Sequence, residues 1–89
     1  MKAIITVIGV DRPGIIALVS TGLYHCNINI LDLNQTILSG YFTMVMMVEL
    51  TNANRSYDDI VAELNKIGEE LGLEIRMQRS EIFDAMHRL

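Results

Sequence analysis

At 89 residues and a net charge of −4, the chain has room for one domain with a single core, and it lacks the clustered Lys and Arg that grip phosphate backbones, so no nucleic-acid partner is expected. The single Cys26 forms no internal disulfide and fits a reducing, cytoplasmic setting. Hydrophobic residues make up 51 % of the chain and the mean hydropathy is +0.31, high for so small a protein, so part of the apolar area is expected to meet another chain.

Residues 2–9 read as a central strand. Ala3, Ile5 and Val7 lie on one parity and Ile4, Thr6 and Ile8 on the other, so both faces are largely apolar. No apolar run approaches the ~20 residues of a bilayer-spanning helix, and the stretch between Lys2 and Asp11 lacks a signal-peptide cleavage pattern, so no membrane association is expected.

The strand ends in Val10-Asp11-Arg12-Pro13-Gly14. Pro13 fixes its own φ and pushes Arg12 out of the helical region, which predicts a helix starting at Pro13 or Gly14 with Asp11 capping its first amides. Gly14 adds no side chain, so a small anion or polar group can approach the positive end of that helix. Ile15, Leu18, Val19, Gly22, Leu23 and Cys26 recur at helical spacing as an inward stripe. Gly22 marks a close approach to the sheet, and Asn27 ends the helix in a left-handed cap.

From 28 to 39 the period becomes two, with Leu31, Leu33 and Ile37 against Asp32, Asn34 and Thr36, the pattern of an edge strand. Ser39-Gly40 is a tight turn into a further strand, 41–51, in which Phe42, Met44, Met46, Val48 and Leu50 share one face while Val45 and Met47 keep the other apolar. A methionine stripe at period two is core packing before it is a metal site. Ser56 with Asp58 and Asp59 announces a second helix, striped by Ile60, Val61, Leu64, Ile67, Gly68 and Leu71 and ended by Gly72. A last strand spans 73–79, and Ser80 caps a short terminal helix with Ile82, Phe83, Met86 and Leu89 on one face.

This order of strand, helix, strand, strand, helix, strand specifies an α+β chain. It is the ferredoxin-like βαββαβ sandwich, a four-stranded antiparallel sheet with two helices on one face, plus a short C-terminal helix. The open sheet face requires an oligomer or cover from the tail. No spacing brings a base to a nucleophile, and two histidines with one cysteine offer no metal or cofactor spacing. An acylphosphatase-type enzyme shares the element order and would use Arg12, but the Gly-rich anion cradle it needs is absent.

The run Ile8-Gly9-Val10-Asp11-Arg12-Pro13-Gly14-Ile15, followed by Asn29-Ile30-Leu31-Asp32 opening the next strand, resembles an ACT domain, a small regulatory module of amino-acid metabolism. The resemblance covers residues 1–80, leaves 81–89 as a helical tail, and is strongest to the small stand-alone ACT proteins, with the transcriptional repressor of the glycine cleavage system a more distant relative. It implies a non-enzymatic module, a homodimer or higher homo-oligomer, with a small ligand such as an amino acid at the subunit interface. By position, amides near Gly14 and Ile15 would meet the ligand carboxylate, with Asp11, Arg12 and Asn29 completing the site. The serine-binding domain of phosphoglycerate dehydrogenase has Asn in place of Asp11 and His in place of Gly9, so serine specificity does not carry over. A carboxylate at Asp11 would instead suit a ligand ammonium. The resemblance equally allows an interaction module that dimerises and docks a metabolic enzyme or regulator without a ligand.

Overall fold

In the computed structural model, which describes residues 1–81, the elements follow as β1 (Lys2–Val10), α1 (Ile15–His25), β2 (Asn29–Leu38), β3 (Tyr41–Glu49), α2 (Tyr57–Leu71) and β4 (Leu73–Arg79). The sheet order is β2-β3-β1-β4 and every pairing is antiparallel, the ferredoxin-like arrangement the pattern specified. β1 is central because its two faces are both apolar. Ala3, Ile5 and Val7 point to the helices and are fully buried, and they join Met44, Met46 and Val48 of β3 in the core.

Ile15, Val19 and Leu23 of α1 and Ile60, Leu64, Ile67 and Leu71 of α2 close that core from one side. Each such side chain contributes about 1.5–3 kcal/mol on burial. Among the described residues no buried side chain is polar or charged, so the interior is held by packing alone.

Ser39 and Gly40 both adopt positive φ, 52° and 80°, which gives the β2–β3 hairpin a type I′ turn whose twist matches its strands. α2 is capped as expected: the Ser56 hydroxyl accepts a hydrogen bond from the Asp59 amide at 3.1 Å, and the left-handed Gly72 closes the C-terminus. Asn27 is left-handed, as expected after α1.

Three expectations about α1 change. α1 begins at Ile15 rather than Pro13 or Gly14, because Gly14 sits at φ 90° as the N-cap and cannot be part of the helix. Leu18 is not in the inward stripe but 46 % exposed. Ile15, Ile16, Ala17, Leu18 and Val19 are all apolar, so the sequence blurs which side of the first turn faces inward. Gly22 lies against the other helix rather than the sheet, since a Cβ placed on it would come 2.6 Å from Ile67 Cδ1. Gly68 of α2 is the close approach to the sheet, where a Cβ would meet the Leu73 carbonyl at 2.7 Å.

β2 is an edge strand, but its alternation is broken by a β-bulge between Ile30 and Asp32, leaving Leu31 as the extra residue. None of its ten residues is buried. Ser80 and Glu81 are helical, and the rest of the expected terminal helix lies outside the described residues.

Candidate functional site

The turn between β1 and α1 is held from two sides. Pro13 presets its backbone, and the Asp11 amide donates to the Gly40 carbonyl at 2.8 Å, which hangs the turn from the tip of the β2–β3 hairpin. That bond extends the strand pairing by one residue. The expected Asp11 cap is absent: the N-cap position falls on Gly14, three residues beyond Asp11, and no side chain caps α1.

Gly14 accepts the first helical bond, from the Leu18 amide at 2.9 Å, which leaves the preceding first-turn donors facing outward. Asp11, Arg12 and Gly14 are exposed. Ile15 is buried, so only its backbone amide can serve a ligand. The turn therefore combines a carboxylate, a guanidinium and uncapped amides at the positive end of a helix, a set that can meet both charges of a zwitterion.

Asn29 lies elsewhere. It opens β2 opposite Glu49, whereas Val10, next to Asp11, pairs with Tyr41 at the other end of β3. Eight residues of strand separate the two positions, about 27 Å. Within one chain, Asp11, Arg12, Gly14 and Ile15 come together and Asn29 does not join them.

Around Asn29 is a polar cleft of about 250 Å³ lined by Tyr24, Asn27, Ile28, Asn29, Glu49 and Asn52. Asn27 Nδ2 donates to the Asn52 carbonyl at 2.8 Å and fixes one wall. The Glu49 carboxylate accepts from the Met1 ammonium at 2.9 Å and from the Thr51 hydroxyl at 2.7 Å. The bond from the ammonium, then that from Thr51, holds the Glu49 carboxyl down at about 2, against an ordinary 4.5. Sequence reasoning read Asn27 only as a helix cap and passed over Tyr24; the signal available was an aromatic off the inward stripe of α1.

A second cleft of about 490 Å³ lies on the open sheet face between β2 and β3, with Asp32, Asn34, Thr43, Val45 and Met47 in its lining. Among the described residues no three His, Cys, Asp or Glu side chains converge as a metal ion needs, and no helix is long and apolar enough to cross a membrane.

Known proteins share this fold. A family model described as the ACT domain matches residues 2–78. Over 89 residues the chain is 51 % identical to a UPF0237 protein of Listeria innocua, covering 100 % of each. Its backbone is similar to that of an ACT domain protein from Streptococcus pneumoniae, with a TM-score of 0.82, 39 % identity and 98 % of each chain covered. It is also similar to a candidate glycine cleavage system transcriptional repressor, with a TM-score of 0.73 and 27 % identity, over 86 % of this chain and 44 % of that one. With the family model matched over residues 2–78 and half of the chain identical to a UPF0237 protein along its whole length, the chain belongs to the ACT domain family, among its small UPF0237 members.

Proposed function

We propose that this ACT domain is a non-enzymatic cytoplasmic regulatory module that forms a homodimer, or a higher homo-oligomer, and binds a small zwitterionic ligand such as an amino acid between subunits. One observation carries the reading: β2 is a ten-residue edge strand with no buried residue, yet half of it is Ile30, Leu31, Leu33, Ile37 and Leu38. Such an edge is left unpaired only where another chain completes it. The opposite edge differs, since β4 presents Glu74, Arg76 and Arg79, the charged protection of an edge meant to stay single.

Antiparallel pairing of two β2 strands about a two-fold axis near their middle brings Asn29 of the second copy to the Leu38 end of the first. Gly40, two residues beyond Leu38, holds the Asp11 amide. The 27 Å that separates Asn29 from the turn within one chain is closed by the symmetry, and the site becomes Asp11, Arg12, Gly14 and Ile15 of one subunit with Asn29 of the other. Asp11 then pairs with the ligand ammonium and the first-turn amides of α1 with its carboxylate.

A thermal-shift screen over the amino acids tests this. Ligand present at 100 times its dissociation constant adds about 2.7 kcal/mol and raises the melting temperature. The shift should be lost in an Asp11→Ala, Asn29→Ala variant that keeps the wild-type oligomer. No shift with any amino acid would leave the second reading, a dimerising module that docks an enzyme or regulator; the exposed Tyr24 and Leu38, 77 % and 73 % accessible, favour that alternative.

A further inference from the structure

A ligand site made of the Asp11 turn and Asn29 leaves most of the polar cleft around Asn29 unused. Continuing the two-fold pairing of β2 brings that cleft to the turn. With Asn29 of one copy facing Leu38 of the other, Ile28 and Asn27 run on past Ser39 and Gly40, and Gly40 is the residue that holds the Asp11 amide. The cleft, about 250 Å³ in volume, then opens beside the groups that grip the ligand ammonium and carboxylate. A side chain has room there.

Glu49 is the one charged residue in the lining, and it uses its two oxygens unequally. Oε2 accepts from the Met1 ammonium at 2.9 Å, the Thr51 hydroxyl at 2.7 Å and the Thr51 amide at 3.3 Å, while Oε1 accepts nothing among the described residues. Asn27 is oriented in the same sense. Its Nδ2 donates to the Asn52 carbonyl at 2.8 Å, which leaves Oδ1 as an acceptor. Asn29, exposed at the head of β2, supplies an N–H donor.

We infer that this cleft receives the side chain of the ligand and selects an uncharged carboxamide, that of asparagine or glutamine. The inference rests on the ligand-binding reading above and adds to it the chemical class of the side chain. The two N–H donors of a carboxamide match Glu49 Oε1 and Asn27 Oδ1, and its oxygen takes the Asn29 N–H. Its methylenes lie along the ring of Tyr24, which is 77 % exposed in the single chain.

Other side chains fail on charge or on pairing. An acidic one sets a second carboxylate against Glu49, which stays ionised down to about pH 2. A cationic one meets a carboxylate already balanced, since the Met1 ammonium holds Oε2 and Lys2 stands opposite Glu49 on β1. An apolar one strips water from Glu49 and Asn27 and returns no hydrogen bond. A hydroxyl has a single proton to give and leaves one acceptor unpaired.

Titration calorimetry on the full chain with L-glutamine, L-asparagine, L-glutamate, L-lysine, L-methionine and L-alanine tests this. Glutamine or asparagine should bind about tenfold tighter than the other four, the scale of one hydrogen bond to a charged group. Glu49→Gln keeps the shape and removes the charge, so the preferred amide should weaken about tenfold while glutamate, shut out of the wild type, gains affinity. A folding defect does not exchange one preference for another. Glu74→Gln, which removes a carboxylate on β4 outside the cleft, should leave the order of the six unchanged. A wild type that binds amino acids but prefers glutamate, lysine, methionine or alanine overturns the side-chain assignment and leaves the ligand reading standing. An equal loss of every amino acid in Glu49→Gln does the same. If none of the six binds, the ligand reading fails and this inference fails with it.

Discussion

The Asp11 amide and the Gly40 carbonyl, 2.8 Å apart, join two turns that are 29 residues distant in the chain. The β1–α1 turn therefore inherits its position from the β2–β3 hairpin. Gly40 holds φ 80°, a conformation that costs an L-residue about 1–2 kcal/mol, so Gly40→Ala should destabilise the fold by that amount in urea. Amide exchange at Asp11 should accelerate by more than the loss of global stability explains, because its acceptor has moved. Equal acceleration at Asp11 and at the core amides of β1 would mean that the bond carries no local load.

Gly22 and Ile67 set how closely the helices approach. Gly22→Ala brings a methyl into the Ile67 side chain and should cost about 1–3 kcal/mol as overpacking, although alanine favours helix by about 0.5–1 kcal/mol. Ile67→Val alone should cost about 1 kcal/mol. The double variant should be more stable than the sum of the two losses, since the smaller side chain makes the room; a double-mutant cycle by urea unfolding reads this directly. Strict additivity would show that the helices shift freely.

The Glu49 carboxyl is held at about 2 by the Met1 ammonium and Thr51. A carboxyl depressed in the folded state favours folding above its unfolded pKa and loses that contribution as pH falls through the folded one. The stability of wild type relative to Glu49→Gln should therefore be constant between about pH 5 and about pH 7, where the carboxylate and the ammonium are both charged, and shrink between pH 4.5 and pH 2. Unfolding curves at half-unit intervals, on protein with a free Met1 amine, check it. A difference that does not vary with pH would show that the ion pair contributes nothing.

Each copy in the proposed dimer contributes one Ile37, so Ile37→Glu removes two apolar contacts. At about 1.5 kcal/mol each, the loss is about 3 kcal/mol, and the dissociation constant of the edge interface should rise about 100-fold. Sedimentation over a concentration series measures it. Because Ile37 is 54 % exposed in the single chain, the variant should keep its secondary structure.

Much of the fold was legible in the sequence, and the exceptions have physical causes. Period-two strands, Ser56, Gly72 and the Ser39-Gly40 turn each carry a local signal that the tertiary structure does not override. Leu18 was misplaced because α1 opens with five apolar residues in succession, so orientation is set by packing on α2 and not by pattern. The Asp11 cap failed because the left-handed Gly14 takes the N-cap position, which moves the helix start to Ile15 and leaves Asp11 three residues ahead of the cap. The separation of Asn29 from the turn within one chain follows from the strand register, and it suits the expectation of a site shared between subunits, with Asn29 coming from another chain.

The methionines of β3 give the core a chemical memory. Met44 and Met46 are fully buried at the centre of the sheet, whereas Met1 is 46 % exposed. An oxidant converts an accessible thioether to a polar sulfoxide and cannot reach a packed one without opening of the chain. Sulfoxide at Met1 thus records only exposure, while sulfoxide at Met44 or Met46 records that β3 has left the core. Once formed there, it places a polar group where every neighbour is apolar, which works against the sheet closing again.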